Sequence, residues 1–202
     1  MKNDFDRIAK FYQRLSKLVF GDRLIQSQML NLKHLKVKDR VLIVGGGDGE
    51  ILNYLPNKLE LQISYVELSS NMITIAKNRS IDVEVSFYNR DIRSFEGDHD
   101  VVIANFFLDC FNEQSLRMVL KKLRSFLSTD GKLLVTDFYK PKTSYDQFLL
   151  WFMLRFFRLI TNLESDRLLH LHQIILKEGF RQHEFQIASK PRLFSAVYNL
   201  TD

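Results

Sequence analysis

The sequence predicts an α/β fold in which a mostly parallel sheet is layered between helices. Three observations carry that expectation. Short runs rich in Val, Ile and Leu recur at 41–44, 62–66, 83–88 and 100–104, the pattern of strands buried on both faces. The first run stops at a glycine cluster, Gly45-Gly46-Gly47-Asp48-Gly49, and an apolar helical pattern follows. The later runs end on polar residues: Glu67, then Asn89 to Asp91, then Asn105. Open α/β sheets bind ligands just beyond the carboxyl ends of parallel strands.

Residues 1–36 read as helical, with Ile8, Phe11, Tyr12, Leu15, Leu18 and Val19 on one stripe. The run 41–44 is the first strand, and the glycine cluster is a tight turn into a helix N-terminus, because glycine tolerates positive φ and lets a ligand approach the backbone. The second strand, 62–66, ends at Glu67, and Ser69 or Ser70 caps the helix that follows. The third strand covers 83–88 and the fourth 100–104, ending at Asn105.

The glycine spacing narrows the ligand. Gly45, Gly47 and Gly49 make G-x-G-x-G, whereas the dinucleotide fingerprint needs glycine where this chain has Glu50. No lysine follows as in a phosphate-binding loop. A pyrophosphate is therefore not the expected guest, and a nicotinamide oxidoreductase is disfavoured. Glu67 is suited to vicinal ribose hydroxyls, because a carboxylate accepts two charge-assisted hydrogen bonds. Asp91 is suited to an exocyclic adenine amine, with Ile92 against the ring.

This arrangement resembles the class I S-adenosylmethionine (SAM) methyltransferases over nearly the whole chain. The resemblance implies a Rossmann-like three-layer α/β/α sandwich, with a seven-stranded, mostly parallel sheet, an antiparallel last strand and an N-terminal helical cap. Residues 131–138 look like its fifth strand, 177–180 like a helix stopped by glycine, and 183–189 with 192–200 like the closing antiparallel pair. It implies Gly45, Gly46 and Gly47 beside the methionine part, Glu67 and Leu68 at the ribose, Asp91 and Ile92 at the adenine, and Asn105 on the rim. Within the family, 5–12 and 138–141 are similar to the ubiquinone/menaquinone C-methyltransferases. The chain departs from many members at Ile43, where they carry an acid two places before the first glycine. The loop also looks like that of the aminopropyltransferases, which use decarboxylated SAM, but those enzymes place an acid where this chain has Asn105 and carry an N-terminal β-domain.

Bulk properties agree with an enzyme. The 202 residues suffice for one large α/β domain with a full core, and 46% are apolar. No repeat or linker-like tract suggests a second domain, so 1–202 is expected to be a single SAM-binding domain. The start is polar and mixed in charge, unlike a signal peptide, and the one cysteine, Cys110, suits a reducing, cytoplasmic setting. The net charge of +5 is spread out rather than gathered, which argues against a nucleic-acid partner.

Methyl transfer asks little of a protein, since alignment of nucleophile and methyl group supplies most of the acceleration. If a base is needed, Asp109, Tyr139 and Tyr12 are the candidates on expected loops above the sheet. No metal is expected: the five histidines form no ligand set, and Asp109 with Asp137 lacks the adjacent acid–amide pair of magnesium-dependent relatives. The segment 148–160 is rich in phenylalanine and leucine, with Arg155 and Arg158. It is too short to span a bilayer and reads as a helix packed on the sheet, or as a lid or peripheral membrane contact for a lipophilic acceptor. The expected acceptor is a small apolar or aromatic molecule, with a non-catalytic SAM- or partner-binding module as the alternative from another class.

Overall fold

Seven strands line up in the order β3-β2-β1-β4-β5-β7-β6 in the computed structural model, which describes residues 22–79, 82–140, 143–144, 147, 169–189 and 192–201. They are β1 (Arg40–Val44), β2 (Gln62–Glu67), β3 (Val85–Asn89), β4 (His99–Asn105), β5 (Leu127–Phe138), β6 (Phe180–Ser189) and β7 (Arg192–Leu200). The first five pair in parallel. β7 inserts antiparallel between β5 and β6, the closing pair and antiparallel last strand expected from the sequence.

Helices cover both faces because the strands alternate two apolar faces. Leu42, Val44, Val102, Leu133 and Val135 pack under α3 (Glu113–Ser125) and α4 (Leu171–Lys177). Val41, Ile43, Ile63, Val101 and Leu134 share the other cluster with Ile25 of α1 (Arg23–Met29) and Ile73 and Ala76 of α2 (Ser70–Lys77). The α3 sequence suits its place. Asn112 caps it by accepting from Ser115 N–H at 3.0 Å, and Leu116, Val119, Leu120 and Leu123 form one buried stripe.

Part of the expected N-terminal helical segment is present as α1. Polar bonds dock it: Ser195 Oγ donates to Ser27 O at 2.7 Å, and Asn31 Nδ2 donates to Val135 O at 3.2 Å. The stripe from Ile8 to Val19, with Tyr12, lies outside the described residues, and so does 148–160.

One element differs from expectation. After the glycine cluster the chain forms a 3-10 segment, Glu50–Tyr54, rather than an α-helix. Gly49 enters it at φ 75°, and Pro56 holds the preceding Leu55 extended at φ −69°, ψ 136°. Too few residues lie between them for an α-helix to propagate. Strand ends also move: β3 begins two residues later than expected, and β5 and β6 begin earlier.

Candidate functional site

The strand order reverses between β1 and β4, and in open α/β sheets the crevice at such a switch point receives the ligand. The glycine cluster leaves β1 there and Asn105 closes β4 there. Gly45 N–H donates to Val66 O at 2.9 Å, which starts the turn. A Cβ on Gly46 would come within 2.3 Å of the Tyr65 ring, whose hydroxyl donates to Gly47 O at 2.8 Å. Gly47 sits at φ +61° and a Cβ there would meet nothing within 4 Å, so this part of the loop faces open space. From outside, Arg79 clasps the turn, donating to Asp48 O and Asp48 Oδ2 at 2.6 Å each.

Glu67 faces this loop. Its Oε2 accepts from Gly47 N–H at 3.1 Å and its Oε1 from Ser69 N–H at 2.8 Å. A carboxylate offers about four lone-pair sites, so each oxygen keeps one for a further donor. Asn89 Nδ2 donates to the carbonyls of Glu67 and Leu68 at 3.0 and 2.8 Å, which fixes the tip of β2. Leu68 projects beyond it, 69% exposed.

Asp91 opens a 3-10 turn, Ile92–Ser94, and accepts from Arg93 N–H at 2.8 Å. The Arg93 guanidinium also pairs with it, at 2.6 Å from Oδ2, and holds its carboxyl below the usual range. Much of Asp91's accepting capacity is thus spent within the turn. Ile92 is buried in the core.

At the end of β4, Asn105 Nδ2 donates to Gln28 Oε1 of α1 at 3.2 Å, while its Oδ1 is buried with no partner among the described residues. The next residue, Phe106, takes φ +50°, an uncommon conformation for a bulky side chain. Its N–H is held by Thr136 O at 2.8 Å and its ring lies 5.3 Å from that of Phe138. Backbone outliers of this kind gather at functional sites.

Asp109 and Asp137 form a buried acid pair below this rim. Asp137 Oδ2 accepts from Asp109 N–H at 3.3 Å and Asp137 Oδ1 from Phe138 N–H at 2.8 Å. Burial pushes the Asp109 carboxyl up to about 6, and burial with the neighbouring Asp109 charge pushes Asp137 well above the ordinary value. Burial and both acids raise the Cys110 thiol as well, so it is no nucleophile. Tyr139 lies beyond β5, its ring 6.1 Å from that of Phe194. Tyr12 lies outside the described residues.

The structure thus gathers Gly45, Gly46, Gly47, Glu67, Leu68 and Asn105 along one rim and sets Asp91 and Ile92 at the neighbouring turn. Sequence reasoning did not single out Tyr65, Arg79, Asn89 or Gln28 as supports of that rim. Asn89 was visible only as the polar end of a strand, and Tyr65 only as a hydroxyl within a run of buried apolar residues that needs a partner.

A family model described as a methyltransferase domain matches residues 3–184. Among curated proteins, the malonyl-acyl-carrier-protein O-methyltransferase of Priestia megaterium is 31% identical over 68% of this chain. The ubiquinone/menaquinone biosynthesis C-methyltransferase of Neisseria meningitidis is 24% identical over 98% of this chain and 83% of its own. The chain spans only 51% of the Priestia protein and 37% of its Bacillus anthracis counterpart. Among solved structures, the magnesium protoporphyrin IX methyltransferase of Synechocystis with bound S-adenosylhomocysteine superposes with a TM-score of 0.69 at 14% identity, covering 95% of this chain and 88% of that one. The 1,6-didemethyltoxoflavin-N1-methyltransferase of Burkholderia thailandensis gives 0.64 at 14% identity, covering 100% and 91%. At such identity these two likenesses speak for the fold. On the family match over most of its length, the chain belongs to the methyltransferase domain family, which uses S-adenosylmethionine.

Proposed function

We propose that the chain transfers the methyl group of SAM to a small, apolar or aromatic acceptor, as one domain. The observation that carries this reading is Glu67, whose carboxylate is oriented by the N–H groups of Gly47 and Ser69 with one accepting site left on each oxygen. That is what two vicinal ribose hydroxyls require. Two further features support it. Asn105 ends β4 beside the loop with no donor to its Oδ1 among the described residues, and the open side of Gly47 leaves room for the methionine part. Leu68 offers exposed apolar surface for the nucleoside, and Asp91 and Ile92 border it.

When bound, the cofactor supplies an electrophilic methyl group. The protein's part is to orient and to exclude water. Glu67 and the glycine loop hold one reactant, and the aromatic residues at the ends of β4 and β5 shape the place of the other. Asp109 is paired with Asp137 and buried, so it serves this rim as a support for the turn after β4. Tyr139, beyond β5, remains the candidate base for an acceptor that carries a proton. Among the described residues no helix is long and apolar enough to cross a membrane. A cytoplasmic setting and a lipophilic acceptor are part of this proposal.

Calorimetric titration with SAM, S-adenosylhomocysteine, decarboxylated SAM and NAD tests it. Micromolar binding of the first two, weakened at least about tenfold in Glu67→Ala, is expected from losing charge-assisted hydrogen bonds. Preference for decarboxylated SAM points instead to aminopropyl transfer, and binding of none of them leaves a scaffold without this chemistry.

A further inference from the structure

Beyond the C-terminal end of β5 lies a cavity of about 480 Å³, bounded by residues 138–140, the start of β7 and the first turn of α4. Its volume falls in the range of small-molecule sites. Phe138, Phe194 and Leu171 are buried wall residues, and Tyr139 packs beside them. The same cavity carries cations. The Arg192 guanidinium sits 5.1 Å over the Tyr139 ring and Nη1 donates to Lys140 O at 2.9 Å. Tyr139 N–H in turn donates to Arg192 O at 2.8 Å, so both ends of this residue are held. Lys140 is exposed at the same edge. Neither cation makes an ion pair among the described residues, and no carboxylate lines the described wall.

The wall also reaches the rim described above. Phe138, two residues beyond the Thr136–Asn105 pairing, lies with its ring 5.3 Å from that of Phe106, and Phe106 directly follows Asn105. His172 adds hydrogen-bonding capacity without charge. Its Nδ1 is 2.9 Å from Tyr198 Oη, and burial keeps the ring below its ordinary value, hence neutral at pH 7.

We infer that this cavity receives the methyl acceptor and selects an aromatic or apolar molecule bearing a carboxylate or phosphate, held by Arg192 and Lys140. The inference rests on the methyltransferase reading for its word acceptor. The physical ground is the pairing of apolar walls with an oriented guanidinium. Arg192 has spent one donor on Lys140 O, and its remaining fork matches the two oxygens of an anionic group. The apolar wall beside it lowers the local dielectric and strengthens that bond relative to open water, although Lys140 stays exposed.

The test is titration of the full chain, saturated with S-adenosylhomocysteine, with benzoate, phenyl phosphate, benzamide and phenol. The two anions are expected to bind about tenfold tighter than their neutral partners. Arg192→Gln and Lys140→Gln are expected to erase that preference while leaving S-adenosylhomocysteine binding unchanged. Benzoate against phenyl phosphate decides which anionic group the site takes. If Arg192→Gln fails to fold, the wild-type chain still answers, because anion binding must weaken between about 50 and about 500 mM KCl, which shortens the screening length about threefold, while phenol binding holds. Equal binding of anions and neutrals, anion preference that survives both substitutions, or no probe binding at all overturns the inference. A chain that prefers the anions but ignores S-adenosylhomocysteine retains the anionic site and loses the methyltransferase reading, so the two failures are told apart.

Discussion

Asp109 and Asp137 stand a hydrogen bond apart in the core, and both carboxyls are shifted upward from their ordinary values. The fold therefore holds protons that the unfolded chain has already released near pH 4. Their contribution to stability is complete at low pH and is lost as pH rises through about 6, where Asp109 ionises beside Asp137. Asp109→Asn removes one of the two charges and keeps a donor toward the other carboxylate. Its melting temperature is expected to gain on wild type by roughly 5 °C between pH 5 and pH 8, about 2 kcal/mol. A gain that does not grow with pH in thermal melts counts against this account of the buried acid pair. At this scale the sequence was partly readable. Glu67 and Asn105 were visible because each ends an apolar run, whereas the meeting of Asp109 and Asp137 joins residues 28 apart and depends on the pairing of β4 with β5.

The glycine loop, as an element, is shaped by what it leans on. Gly46 lies against the Tyr65 ring, Gly47 O takes the Tyr65 hydroxyl, and Arg79 holds Asp48. Gly46→Ala drives a methyl group into that ring, and such overpacking costs about 1–3 kcal/mol. The loop must then lift, so S-adenosylhomocysteine binding is expected to fall at least about tenfold together with a lower melting temperature. Unchanged calorimetric affinity sinks this account of the loop. Strand positions were legible because β-branched runs bounded by polar residues have few other readings. The 3-10 segment Glu50–Tyr54 was not, since its apolar spacing suits a helix and only Gly49 and Pro56 together cut it short. The docking of α1 through Ser27 and Asn31 was hidden for another reason: those bonds reach across more than 100 residues to β5 and β7.

On the scale of the whole molecule, the sheet divides its labour. The strands β1, β2 and β4 present Gly47, Glu67 and Asn105, while β5 and β7 present Phe138, Arg192 and Phe194 around the cavity. β7 joins the halves, pairing with β5 from Lys132–Asn199 to Phe138–Leu193 and with β6 along its other edge. A chain ending at Ser189 leaves two apolar strand edges bare, and it is expected to be insoluble or to lack a cooperative melt, whereas a soluble, cooperatively folded product argues that β7 is dispensable. The strand that bridges β5 to the edge strand β6 is also the last of the seven to be translated. While it is still inside the ribosome, the glycine loop and Glu67 have already emerged, yet Arg192 has not been exposed and α1 lacks Ser195 to dock on. A nascent chain stalled before Arg192 thus exposes the proposed cofactor-binding residues while lacking the β7 wall of the proposed acceptor cavity, so it cannot bring a methyl donor and an acceptor together there.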